Sequence, residues 1–173
     1  MAGKTLVTVE EYLKSSFDGP EPDYLDGELV ERHLGSISHF EAQERLLDFF
    51  LSLKESHSLF GFPEVTLKIS PKRYRVADVA VFEGRPKGGE YPSDPPLLVI
   101  EVASKNDRHK DVISKLAEYH SWGVKHVWSV DPWTRKLFVY DNRGYHEVAA
   151  FELPEFKAKL SPAEIFEDQT PQQ

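Results

Sequence analysis

Leu97-Leu98-Val99-Ile100-Glu101-Val102-Ala103 is an apolar run with a single acid inside it. Its apolar residues follow one another without alternation, so it reads as a strand buried on both faces. An isolated buried carboxylate is costly, or shifts its pKa until it is neutral. Glu101 therefore calls for a compensating cation, either a side chain or a metal ion. Upstream, Arg75-Val76-Ala77-Asp78-Val79-Ala80-Val81-Phe82 repeats the pattern. Two strands carrying one acid each suggest that Asp78 and Glu101 converge on one cation.

Downstream of Glu101, Asn106 or Asp107 is expected to cap a helix that runs to Trp122, and Gly123 to stop it. A strand over 124–130 follows, closed by Asp131-Pro132. Strand, helix and strand make a crossover unit with the two strands parallel. Val112, Leu116 and Tyr119 are expected to face the sheet. Asp111, Lys115 and Tyr119 share a stripe at four-residue spacing, which points Lys115 toward the strand ends.

Upstream, Thr8 and Glu11 form a capping box for a short helix over 8–16. Asp26-Gly27 is a turn signal between 24–25 and 28–31, which predicts a hairpin. Ser38 and Glu41 make a second capping box, opening a long helix to about Ser56. Strands are expected over 64–69 and 74–82. The Gly- and Pro-rich stretch 83–96 is a loop long enough to be mobile or functional. A hairpin pairs 136–140 with 145–151, and Pro162 starts a short last helix. The tail, 168–173, is expected to be disordered. The 173 residues read as one α/β domain, with a central mixed sheet flanked by helices.

Composition narrows the function. There is no cysteine, which removes disulfides, thiolate metal sites and cysteine nucleophiles. No apolar run approaches the length of a membrane span, and no secretory leader is evident at Met1-Ala2-Gly3-Lys4-Thr5. A cytoplasmic protein without a membrane partner is expected. The net charge of −8 argues against a general nucleic-acid coat. Yet Lys68, Lys72, Arg73 and Arg75 precede Asp78, and Lys105, Arg108, His109 and Lys110 follow Glu101. Positive charge gathers around the two acids, although short charge runs are usually solvated surface.

Mg²⁺ or Mn²⁺ takes oxygen ligands, and Mg²⁺ uses one or two carboxylates while keeping several waters. Asp78 and Glu101 suit that role, and Lys115 is placed to orient water or hold a phosphate. Each residue also has a structural reading. Asp78 could bond to backbone amides or to Arg75, and Lys115 could merely pair with Asp111. Lys105 is the rival lysine, in the loop beyond the strand. Glu28 could add a carboxylate, but an exposed strand glutamate fits equally well. His39 could meet phosphate or metal from the first turn of the long helix, but reads more simply as a surface residue. Trp122, Trp128 and Trp133 read as core and interface aromatics. No nucleophile elbow, His–Glu metalloprotease spacing or phosphate-cradling glycine loop is present.

The ordered set Asp78, Pro95-Pro96-Leu97-Leu98-Val99-Ile100-Glu101-Val102, Arg108, Asp111, Lys115-Leu116, Tyr119, Gly123-Val124 and Trp128-Ser129-Val130-Asp131-Pro132 resembles the Uma2 family. Tyr24-Leu25-Asp26-Gly27-Glu28-Leu29-Val30 is similar to that family's N-terminal hairpin. The resemblance covers roughly 8–166 and implies an endonuclease with the restriction-endonuclease-like PD-(D/E)xK fold. It also implies a metal held by Asp78, Glu101 and the backbone carbonyl of Val102. Two positions depart from the superfamily pattern. Ala77 stands where a proline usually precedes the first acid, and Ala103 where a lysine usually follows the Glu. Uma2-like sequences carry a helical lysine instead, which maps to Lys115. The expected activity is Mg²⁺- or Mn²⁺-dependent hydrolysis of phosphodiesters in nucleic acid, DNA above all, by a homodimer able to cut two strands. The alternatives are a non-catalytic interaction protein with the same fold, or a small-molecule phosphodiesterase.

Overall fold

The computed structural model describes residues 6–166, so the expectations for the first residues and for the 168–173 tail lie outside it. A mixed eight-stranded sheet carries helices on both faces. Helix α1, Val9–Lys14, starts at Thr8 with the expected capping box to Glu11. Strands β1, Asp23–Leu25, and β2, Glu28–Val30, form the expected hairpin. Helix α2 runs Ile37–His57. Its cap is Ser36 and not Ser38: the Ser36 side chain accepts from the His39 amide, and its carbonyl accepts from the Phe40 amide. Two serines compete here, and the earlier one adds backbone bonds at the helix start.

Strands β3, Leu59–Ser70, and β4, Arg73–Glu83, make a long antiparallel pair. Strand β5, Leu98–Val102, is buried at every residue. Helix α3, His109–Trp122, leads to β6, His126–Asp131, which pairs with β5 in parallel as the crossover unit requires. Neither Asn106 nor Asp107 caps α3. Arg108 holds that position without a side-chain bond, and Asp107 instead accepts from the Ser104 amide. Strands β7, Lys136–Asp141, and β8, Gly144–Val148, close the sheet. The expected strand 145–151 breaks after Val148. Its last residue joins β9, Phe151–Leu153, which pairs with β10, Ala158–Leu160, as a separate small sheet. A short 3₁₀ turn, Pro154–Phe156, links those two strands, and helix α4, Pro162–Ile165, ends the described chain.

Two cores follow from the two faces. On one, Ala42, Leu46 and Phe50 of α2 pack on Val79, Val81, Ile100 and Trp128. On the other, Leu116 and Tyr119 of α3 pack on Ala80, Val99 and Val127. The Trp128 ring stacks on Phe151 at 4.2 Å between centroids, so this tryptophan is core. Trp122 is partly buried against the α3 core, while Trp133 is about half exposed.

Gly123 ends α3 with φ +112, a left-handed conformation that suits glycine. A Cβ there would sit 3.4 Å from the Pro95 ring. Gly123→Ala should therefore lower stability by about 1 kcal/mol or more, read as a drop in urea midpoint with unchanged slope.

The sheet forks at β4. Strand β3 covers one edge of β4 along its length. On the other edge, β1 pairs at Arg73 and Tyr74, and β5 pairs at Val79 to Val81. Between them, among the described residues, no strand completes the ladder. There the Val76 amide donates to Asp23 at 2.8 Å, and the Val76 carbonyl accepts from Lys115 at 2.8 Å. Side chains replace a strand, and the fork opens into a cavity. The loop 84–97 takes no part in that cavity. It folds over β3, where Lys68 donates from its amide to the Pro92 carbonyl.

Candidate functional site

A cavity of about 410 Å³ lies at the fork, lined among others by Asp78, Glu101, Lys115, Arg32, His39 and Glu64. Asp78 sits on β4 one residue before the β5 pairing begins, and Glu101 sits on β5 one residue after it ends. Continuing that antiparallel register sets the two acids opposite one another. Both are buried, at 4% and 8% exposure. The structure thus brings together the two acids that the sequence singles out.

Each acid has a protein cation. Lys115 on α3 donates to Glu101 Oε2 at 2.8 Å, and the Tyr119 hydroxyl donates to Glu101 Oε1 at 3.0 Å. The four-residue stripe on α3 thus delivers both side chains to one carboxylate. Lys115 does not pair with Asp111 but with Glu101 and, at 3.9 Å, with Asp23. Asp78 Oδ1 accepts from Arg32 at 2.7 Å, and Oδ2 accepts from the Val102 amide at 2.7 Å. Arg75, the arginine considered for Asp78, instead binds Asp23 at 2.9 Å and Glu118 at 2.6 Å. Arg73 is likewise held by Glu118 and Asp26. These basic residues brace the N-terminal hairpin against α3.

The charge states follow from this packing. Burial pushes the Glu101 carboxyl up to about 7, reinforced by Asp78 and opposed by Lys115. Asp78 is also raised by burial, against the pull of Lys115 and Arg32. Burial alone would lower Lys115, but the carboxylates of Asp23, Glu101 and Asp78 outweigh it and hold the amine above its ordinary value. Lys115 is therefore an ammonium at neutral pH. It donates hydrogen bonds and has no lone pair with which to accept a proton.

The raised Glu101 fixes a pH dependence. The folded form holds its proton from the ordinary carboxylate range up to about 7, where the unfolded form has lost it. That contribution to stability is present at acid pH and is lost as pH rises through about 7. In chelator, wild-type protein should lose melting temperature relative to Glu101→Gln between pH 5 and 8. Parallel profiles for the two proteins would contradict this.

The remaining candidates separate. His39 is not a surface residue: it is buried at 5% exposure, lines the cavity and lies 3.9 Å from Asp78. Asp111 lines the cavity rim. Lys105 turns away, with its ammonium 5.7 Å from the Trp133 ring centroid. Glu28 lies on β2 opposite Leu25 and is not among the residues lining the cavity. Sequence reading missed Arg32, Glu64 and Gln43. Arg32 bridges Asp78 and Glu64. Gln43 donates to Glu64 and to the Asp78 carbonyl. Its place four residues after His39, on the same helix face, was an available signal.

The donor set suits a divalent cation. His39, Glu64 and Asp78 each offer a ligand atom, and these atoms lie within 4.8 Å of one another. Glu101 and Val102 line the same cavity, and the Val102 amide donates to Asp78 Oδ2. Buried carboxylates that meet in a solvent-reaching cavity are the ligands such an ion prefers.

The fold and this site together define a nuclease-like protein. The model of the Uma2 family, described as "Putative restriction endonuclease", matches residues 9–170, and the chain belongs to that family. Among solved structures it is similar to a protein from Anabaena variabilis described as a putative nuclease belonging to DUF820. The TM-score is 0.79 at 20% identity, over 92% of this chain and 97% of that one, which establishes the shared fold. No curated protein matches the chain. Among the described residues, no helix is long and apolar enough to cross a membrane.

Proposed function

We propose that the protein is a metal-dependent endonuclease that hydrolyses phosphodiester bonds in DNA. The observation that carries this reading is the pairing of Asp78 and Glu101 across the sheet fork, with Lys115 bonded to Glu101. Asp78, Glu101 and the Val102 carbonyl would hold Mg²⁺ or Mn²⁺. Such an ion, when bound, lowers the pKa of water and neutralises charge developing on phosphoryl oxygens.

The protein's own residues supply position and field. Lys115, held as an ammonium by Asp23, Glu101 and Asp78, orients water or steadies the phosphate; it does not take the proton. Tyr119 fixes the second oxygen of Glu101 and so its orientation. Water attacks phosphorus in line and the bond to the 3′ oxygen breaks. The products are a 5′-phosphate and a 3′-hydroxyl, and one water proton ends on the released oxygen. Arg108 and His33 at the cavity rim are placed to meet the flanking backbone. Cutting both strands calls for two such sites, hence a homodimer.

Purified protein should nick supercoiled plasmid with Mg²⁺ or Mn²⁺ and stay inert in EDTA. Cleavage should weaken steeply with salt, because polymer binding releases counterions. Glu101→Gln should abolish it, and equal cleavage by that variant would reject the assignment. One observation favours a second reading. Arg32 and Lys115 already neutralise both acids, as in a protein that keeps the fold without catalysis. A melting temperature indifferent to Mg²⁺ and Mn²⁺, together with no cleavage, would select it.

A further inference from the structure

The connection from β5 to α3 walls the cavity and also carries side chains away from it. Ser104, Asn106 and Arg108 line the cavity. Lys105, between the first two, extends to Trp133, which is not among the lining residues. His109, next after Arg108, meets the Tyr145 ring edge-on at 5.5 Å between centroids. Tyr145 in turn stacks on Phe138 at 4.8 Å. Strands β5 and β6 run parallel, and the Ala103 amide donates to the Val130 carbonyl at 2.8 Å. Lys105 and Trp133, which follow the carboxyl ends of those strands, therefore lie at the same edge of the sheet as Glu101.

Three features set this surface apart from an ordinary solvated loop. Trp133 is the largest apolar side chain left exposed among the described residues, at 48%. Its backbone is fixed, because Asp131 Oδ1 accepts from the amides of Trp133 and Thr134 at 2.9 and 3.1 Å. The charge is also uneven. On a chain of net charge −8, the exposed residues 105–110 set Lys105, Arg108 and Lys110 against Asp107 alone. The Asp107 carboxylate is engaged by the Ser104 amide at 2.7 Å. Arg73, Arg75 and Lys115 are held by acids, whereas among the described residues Lys105, Arg108 and Lys110 have no acidic partner. Exposed rings interleaved with uncommitted cations complement an anionic polymer with flat bases.

We propose that Trp133 and Lys105 form a stacking subsite for an unpaired base of DNA beside the cavity mouth. The proposal rests on the nuclease reading and deepens it by naming the strand state that the site takes. The indole face receives the base, and the Lys105 ammonium meets the adjoining phosphate. Arg108 holds the strand where it enters the cavity. In a duplex both faces of each base are covered by their neighbours, so the ring selects single-stranded DNA. Stacking tolerates any base, because every base has a π face. The subsite thus recognises the absence of pairing and not a sequence.

The test is fluorescence anisotropy of a short labelled oligo-dT strand with the purified full chain in EDTA, which keeps the strand uncut. Trp133→Ala should weaken binding by about tenfold, the usual effect of losing one stacked base. Lys105→Gln should reduce the slope of log affinity against log salt by about 0.7, as for one phosphate contact on a single strand. Binding should also quench tryptophan emission. Trp133→Phe should lose that quench while keeping most of the affinity, since a ring remains to stack. A blunt duplex of the same length should bind more weakly and be indifferent to Trp133→Ala. Wild-type affinity in Trp133→Ala, an equal loss on the duplex, or no binding of oligo-dT would each overturn the proposal. Failure of the nuclease reading looks different: plasmid would stay uncut with Mg²⁺ and Mn²⁺ while oligo-dT still quenched the emission.

Discussion

Lys115→Met should lower the melting temperature in metal-free buffer at pH 8, above the range in which Glu101 holds its proton, by roughly 10 °C or more. The ammonium sits between Glu101 at 2.8 Å, the Val76 carbonyl at 2.8 Å and Asp23 at 3.9 Å, all of them buried. Removing one partner of a buried ion pair leaves an uncompensated charge and costs about 3–5 kcal/mol. For a chain of this length each kcal/mol shifts the midpoint by about 2–4 °C. Methionine keeps the stem's volume, so the loss reports charge and hydrogen bonds, not a cavity. The double variant Lys115→Met with Glu101→Gln should recover part of the loss, because both buried groups are then neutral. A single variant that melts like wild type would show that the lysine is not an internal counter-ion.

Asp78→Asn should reduce nuclease activity by at least about 100-fold, since loss of even an outer partner of a metal ligand costs about 10–100-fold. Asparagine can still accept the Val102 amide through its carbonyl oxygen, so the junction of β4 and β5 should persist. Far-ultraviolet circular dichroism should match wild type while cleavage of plasmid is lost. The combination separates a ligand role from a scaffold role: a variant that unfolds, or one that cuts at the wild-type rate, contradicts the prediction.

The sheet and the helical lysine were legible because each leaves a local trace. The unbroken apolar run around Glu101 announces a strand covered on both faces, and β5 is buried at all its residues. The four-residue spacing of Lys115 and Tyr119 announces a shared helix face, and both reach Glu101. Arg32 left no such trace. Its partners are 32 and 46 residues away, and it lies in a short connection without periodicity. The Asp23–Arg75 pair, 52 residues apart, was hidden for the same reason. His39 misled in the other direction. A histidine in the first helical turn is usually solvated, but here the turn tucks under the connection that carries Gly35. The Ser36 and Ser38 caps differ by two residues, and local signals alone could not rank them.

The central claim is that Asp78 and Glu101 share a cavity able to house a divalent ion. Anomalous scattering from a crystal grown with Mn²⁺ tests it most directly. A peak in coordination contact with both Asp78 and Glu101 is expected. A crystal with Mn²⁺ at saturating concentration and no peak at either acid, with Arg32 and Lys115 still bonded to them, would contradict it.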